Sequence, residues 1–194
     1  MKLSQTDSKH QNIFIIKWLT FLMFMMFAMT TDAVGVIIPE VMKQFKLSMT
    51  AAGLMHYAPM IAIALSGILL GFLADKFGRK LTIILGLGLF ALNSYLFLLG
   101  NSFAFFLGLM VISGTAIGIF KSAALALIGD ITKSSNEHTS TMNAVEGFFG
   151  VGAIIGPFLV TYLLKSGVDW KWLYIIAGTL CVLLIILALL VEYP

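Results

Sequence analysis

The stretch from Gly71 to Ile83 reads GFLADKFGRKLTI. It gathers Asp75, Lys76, Arg79 and Lys80 into a glycine-flanked turn between two long apolar stretches. Ionised side chains are too costly to hold in the centre of a bilayer, so this segment is expected to be a short loop at the membrane surface. Gly71 allows close helix packing, and Gly78 allows a backbone turn that a bulkier residue resists. A plain membrane hairpin has no need of a fixed Asp-to-Arg spacing, so the stretch carries more than topology.

Outward from that turn the chain is lipid-like. Apolar residues make up 60% of it and charged residues 11%, against roughly 25% charged in soluble domains. The mean hydropathy is +1.02, and a water-soluble fold of this size has too little interior to hide so much apolar surface. The single cysteine, Cys181, sits inside an apolar run, which excludes a disulfide framework, a zinc site and thiol chemistry. The net charge of +3 does not point to nucleic acid, because the basic residues mostly flank apolar segments.

With a spanning length of about 20 residues, six transmembrane helices are expected over 14–38, 50–74, 80–100, 103–129, 139–164 and 171–191, after a polar tail over 1–12. The first run is too long for a signal-peptide core and is kept as a span. Connections are expected at Glu40 to Ser48, Asp75 to Lys80, Asn101–Ser102, Ile131 to His138 and Lys165 to Asp169. One side collects Lys2, Lys9, Lys17, Lys76, Arg79, Lys80 and Lys133, the other Lys43, Lys46, Lys165 and Lys171. That bias places both termini and the 75–80 loop in the cytoplasm of a cell membrane. Trp18, Trp170 and Trp172 fall near span ends, where indole rings prefer the interface.

The pattern G-x-L-A-D-x-x-G-R-K resembles the loop between the second and third helices of major facilitator superfamily transporters. The resemblance implies an all-α integral membrane protein: six transmembrane helices as two inverted three-helix repeats, one N-terminal half of such a transporter. Members of the family usually carry two halves joined by a cytoplasmic linker, with substrate passing between them. The implied partners are the lipid bilayer, a small-molecule substrate, protons, and a second six-helix half in the same polypeptide, a separate chain or a second copy. No cofactor is implied. The resemblance also makes Gly71, Asp75, Gly78, Arg79, Lys80 and Asp130 a cytoplasmic clamp, with Asp130 the partner of Arg79.

Other ionisable residues fall within the expected spans, and each would cost at least ~2.5 kcal/mol at a helix centre without a cavity or partner. Asp32, after Thr30 and Thr31, and His56 lie at similar distances from the outer ends of the first two helices. Together they read as a proton-coupling pair, since a shielded carboxylate and a histidine both titrate near neutrality. The alternative for Asp32 is a structural hydrogen bond with the threonines. Lys121 and Glu146, each roughly two turns deep in the fourth and fifth helices, read as an internal ion pair, static or gating. Lys121 also stands ready for an anionic substrate. No nucleophile–base constellation or metal cluster appears, so the chain does not read as an enzyme.

In the fifth span Gly152 and Gly156 share a face that permits close helix approach, Gly150 widens that strip, and Pro157 kinks the helix. This resembles half of the glycine pattern of drug/proton antiporters, with Asn143 in place of the leading glycine and Val160–Thr161 in place of the closing pair. The run from Asn143 to Pro157 with Phe148–Phe149, followed by Trp170-Lys171-Trp172, is similar to the fucose/glucose proton symporter branch. Sugar contacts are then expected from Thr31, Tyr57, Asn93, Phe120 and Asn143, though polar residues between helices also serve as packing glue. The function expected is proton symport of a small polar solute, a sugar. Two alternatives stay open: a proton-driven drug efflux antiporter, and a non-transporting structural or regulatory half-domain.

Overall fold

Serine starts three of the helices. The computed structural model describes the backbone of residues 2–194 and the side chains from residue 11 onward, so the expected tail over 1–12 lies largely outside the described side chains. The elements are α1 (Lys2–Thr31), α2 (Val34–Phe45), α3 (Met49–Leu70), α4 (Leu73–Lys76), α5 (Arg79–Leu96), a 3-10 turn at Phe97–Leu99, α6 (Phe103–Ile131), α7 (Ser135–Lys165) and α8 (Trp172–Leu190). Among the described residues there is no strand. Ser48, Ser102 and Ser134 cap α3, α6 and α7 by accepting the amide N–H of Ala51, Phe105 and Glu137. Each such cap is worth about 1 kcal/mol.

Six stretches are long and apolar enough to cross a membrane, α1 and α2 counting as one from Gln11 to Phe45. This first span is longer than the 14–38 expected from sequence, and it is broken at Asp32–Ala33. The Thr30 hydroxyl turns back to the Phe27 carbonyl, and the Thr31 hydroxyl, also within reach of that carbonyl, has the Asp32 carboxylate as its nearer acceptor at 2.9 Å. Such side-chain bonds compete with the helix ladder. The connection expected at 40–48 is mostly helix, because α2 is amphipathic. It buries Val34, Ile37 and Val41 and ends at Lys46, whose φ of 53° places it in the left-handed region. Gly78, with φ of 83°, makes the turn between α4 and α5 that a side chain would strain.

The packing follows an exchange of two three-helix repeats. The main neighbours are α1 with α7, α3 with α6, α5 with both α6 and α8, and α1 with α8. In span numbers, the first meets the fifth and the fourth meets the second, as exchanging each span with the one three places on requires. Small residues let two of these pairs close. A Cβ on Gly152 or Gly156 would strike the carbonyl oxygens of Met25 and Met29 on α1, and one on Gly114 or Gly118 would strike Pro59 and Ile63 on α3. Gly150 does not belong to that strip: it is exposed, with nothing within 4 Å of its Cβ position. Towards α8 the interior is aromatic, with Phe97 and Tyr174 stacked at 3.8 Å beside Phe106 and Trp170. Trp170 is therefore a core residue, 2% exposed, rather than the interfacial anchor its place near a span end implied. Trp18 and Trp172 are exposed.

Candidate functional site

Charged side chains gather in two places along the bundle. The first is the face formed by the α4–α5 turn and the ends of α6, α7 and α8. Arg79, in the first turn of α5, donates from Nη1 to Asp75 Oδ1 at 2.6 Å and from Nε to Asp130 Oδ2 at 2.9 Å. The i, i+4 spacing across the Gly78 turn aims Asp75 at the guanidinium, and Asp130 reaches it from the last turn of α6. Lys80 takes a different course from its clamp assignment. Its Nζ donates to the carbonyl oxygens of Leu189 and Val191, at 3.1 and 2.7 Å, and lies 5.4 Å from the Tyr193 ring centroid. A cation is favoured there because the last carbonyls of a helix lack intrahelical donors. Burial pushes the Tyr193 hydroxyl up to about 12. Gly71 sits at the end of α3, where its Cβ position is 3.7 Å from Ser122 Oγ of α6.

One tie on this face was missed from sequence. Lys17 of α1 donates to Glu137 Oε1 at 2.7 Å, while Glu137 Oε2 accepts the backbone N–H of Lys133 at 2.9 Å. The Ser134-x-x-Glu137 spacing is close to a capping box and marks a helix start at 135 rather than 139.

The second gathering lies deeper. Lys121 stands nine residues before Asp130, and Glu146 nine after Glu137, each about 13 Å along its helix from the first charged layer. The expected ion pair between them is not made: among the described residues no salt bridge includes either. The half-buried Lys121 ammonium instead lies 4.9 Å from the Phe149 centroid and 5.8 Å from that of Phe24. Glu146 and Asp32, both exposed, act on it through the field rather than by contact. Two aromatic faces satisfy the cation where a direct pair would need Glu146 to leave its open position.

Asp32 and His56 are not brought together. Asp32 is bonded by Thr31 at the break after α1, and His56 lies on the exposed side of α3, edge-on to Tyr57 at 5.9 Å. His56 and Tyr57 line a shallow pocket of about 370 Å³ with Ile38, Met49, Thr50 and Gly53. Two of the expected sugar contacts are in the core. Asn93 is 2% exposed, its amide donating to the Leu109 carbonyl and to Ser113 Oγ at 2.9 and 2.8 Å. Phe120 is fully buried against Phe24 and Phe27. Thr31 is half-buried, and Tyr57 and Asn143 are exposed. Among the described residues no group of three His, Cys, Asp or Glu is placed to hold a metal ion.

Residues 20–194 match the Major Facilitator Superfamily profile. The chain belongs to the major facilitator superfamily. Members of that superfamily are transporters, not enzymes, and the fold here is one six-helix half of theirs. Among sequence relatives, the Quinolone resistance protein NorA of Staphylococcus aureus is 27% identical over 191 residues, covering 95% of this chain and 46% of NorA. Multidrug resistance protein 2 of Bacillus subtilis (strain 168) is 29% identical over 138 residues, covering 71% of this chain and 34% of that protein. Among solved structures, the proton:xylose symporter XylE bound to 6-bromo-6-deoxy-D-glucose superposes with a TM-score of 0.75 at 18% identity, over 95% of this chain and 46% of XylE. The inward-open form of XylE from E. coli gives 0.70 at 19% identity, over 93% of this chain and 48% of XylE. At these identities the likeness to XylE speaks for the fold alone. The chain spans less than half the length of each of these proteins.

Proposed function

We propose that this half contributes to a proton-driven exporter of amphipathic organic solutes, with both termini on the cytoplasmic side. The observation that carries the reading is the uncovered side of α1, α6 and α7, where Lys121 and Glu146 at mid-depth, and Asp32 further along α1, stand beside aromatic and apolar surface. Lys121 and Glu146 lie about 13 Å in from the first charged layer and Asp32 further along, fifteen residues past Lys17; charges that deep are expensive against lipid and mark a solute path. The sequence relatives named for drug resistance support the direction. Asp32, exposed at a helix break, is the coupling carboxylate, and His56 modulates from the separate pocket it lines on α3. Asp75, Arg79 and Asp130 hold the cytoplasmic ends together in one state of the cycle. A second six-helix half completes the path.

The test is solute-dependent proton flux in proteoliposomes. Export that collapses with Asp32→Asn, while the protein still folds, supports the assignment; unchanged proton-linked export removes Asp32 from the coupling role. Sugar symport is the second reading, favoured by the exposed polar positions Tyr57 and Asn143 and the half-buried Thr31. It predicts D-xylose-dependent proton entry, and it has two fewer contacts to draw on because Asn93 and Phe120 lie in the core. Absence of any flux, with neutral variants indistinguishable from the parent, would favour a structural or regulatory half-domain.

A further inference from the structure

We infer that the cavity between the end of α2 and the α7–α8 connection holds a phosphoethanolamine headgroup, supplied by a membrane phospholipid. The inference does not depend on which solute crosses the bundle.

The cavity lies at the end of the bundle opposite the Arg79 turn, where α2 and α7 stop and α8 begins. Its volume is about 570 Å³, and its walls carry charge that the fold does not use. Glu40 and Lys43 line it from α2, and among the described residues neither takes part in a salt bridge. Asp169 lines the facing wall, but Lys171 already holds it, with Nζ 3.1 Å from Oδ2 and the backbone N–H donating to Oδ1 at 2.9 Å. Glu40 and Lys43 are thus the open pair of opposite sign. Trp170 also lines the cavity; it is buried, and its Nε1–H has no acceptor among the described residues. A buried donor left unpaired is costly, and an acceptor seated in the cavity relieves that cost.

These groups set the chemistry of the ligand. Residues three apart on a helix stand side by side, about 5–6 Å apart at Cβ. The two-carbon bridge of phosphoethanolamine holds its phosphate and ammonium at a comparable separation. The phosphate takes Lys43 and the Trp170 N–H, and the ammonium takes Glu40, with the Gln44 amide oxygen a second acceptor on the same wall. A lone anion would leave Glu40 unpaired, and a lone cation would leave Lys43 so. A quaternary ammonium seeks open aromatic faces, whereas the Trp170 indole is packed among Phe97, Phe106 and Tyr174. The depth of the cavity argues for lipid as the source. Tyr162 near the end of α7 and Trp172 at the start of α8 are both exposed, and such rings at span ends mark the headgroup level. Leu164 gives the cavity an apolar side for the glycerol end.

The test is equilibrium lipid binding, read by native mass spectrometry on the protein extracted in detergent from its native membrane and stripped of lipid. Dioleoyl phosphatidylethanolamine, phosphatidylcholine and phosphatidylglycerol are compared, together with water-soluble glycerophosphoethanolamine. The ethanolamine lipid is expected to bind at least tenfold more tightly than the other two lipids. Glu40→Gln should remove that preference without weakening phosphatidylglycerol. Lys43→Gln should weaken the ethanolamine and glycerol lipids alike, and Lys43→Arg should retain both. Unfolding midpoints equal to the parent's confirm that these variants are folded. Equal affinity for the three lipids, a preference that survives Glu40→Gln, or a Lys43→Gln variant that binds like the parent would overturn the inference. Glycerophosphoethanolamine binding as tightly as the whole lipid would overturn the lipid as occupant and put a soluble phosphodiester in its place.

Discussion

At the scale of single residues, the glycines on α7 divide cleanly by what surrounds them. Gly156 lies against the Met29 backbone, and Gly150 looks into open space. Gly156→Ala should therefore force α1 and α7 apart and lower the thermal unfolding midpoint in detergent by several degrees. Gly150→Ala should leave it unchanged or raise it, since alanine is up to about 1 kcal/mol better than glycine within a helix. Equal effects of the two would mean that α1 and α7 do not approach as described. The Gly152–Gly156 spacing was readable because four residues return to the same helix face. Gly150 was misplaced because two residues are about 200° around the axis. Asn93 shows a different limit of the sequence. A polar residue in a span is written identically whether it lines a path or joins two helices, and here it joins α5 to α6. Asn93→Ala should cost about 1–2 kcal/mol of stability and leave solute affinity unaltered; a loss of affinity in a fully folded variant would return Asn93 to the solute path.

At the scale of elements, hydropathy located the apolar runs but not where their helices stop. The ends are set by caps. Ser134 with Glu137 starts α7 four residues earlier than apolarity alone indicated, and the threonine pair at 30–31 interrupts a run that hydropathy reads as continuous. Ser134→Ala should lower stability by about 1 kcal/mol, with faster amide exchange confined to the first turn of α7. Lys80 works on the same face of the fold as Ser134. It binds the last carbonyls of α8 while its neighbour Arg79 binds the carboxylates of α4 and α6. The one turn thus fastens three helix ends by two adjacent cations pointing in different directions. Lys80→Gln should speed exchange at Val191 to Tyr193 and leave the Arg79 contacts intact. If exchange there does not change, the α8 end is held by packing under Tyr193 instead.

At the scale of the whole molecule, α3 and α7 each present one narrow buried stripe, Ala52–Met55–Pro59–Ala62–Ser66 and Thr141–Val145–Gly152–Gly156–Val160. The rest of each helix is uncovered, with Ile68 79%, Ile154 74% and Phe158 73% exposed. Lipid suits the apolar part of that surface. It does not suit Glu146, which would cost at least ~2.5 kcal/mol against hydrocarbon at mid-depth, nor Asp32 further along α1. A protein surface bearing polar groups or enclosing water is therefore expected to cover this side, and a second six-helix half is the form the fold favours. A benzophenone side chain installed at Gly150, one turn beyond Glu146 and free of neighbours, reports which partner is present in the native membrane. Capture inside a single polypeptide places the second half on the same chain. A cross-linked product close to twice 21.1 kDa means that two copies build the path, and every site then occurs twice. Capture of lipid alone would show that the charged face meets the bilayer directly, and the two-half pathway would have to be abandoned.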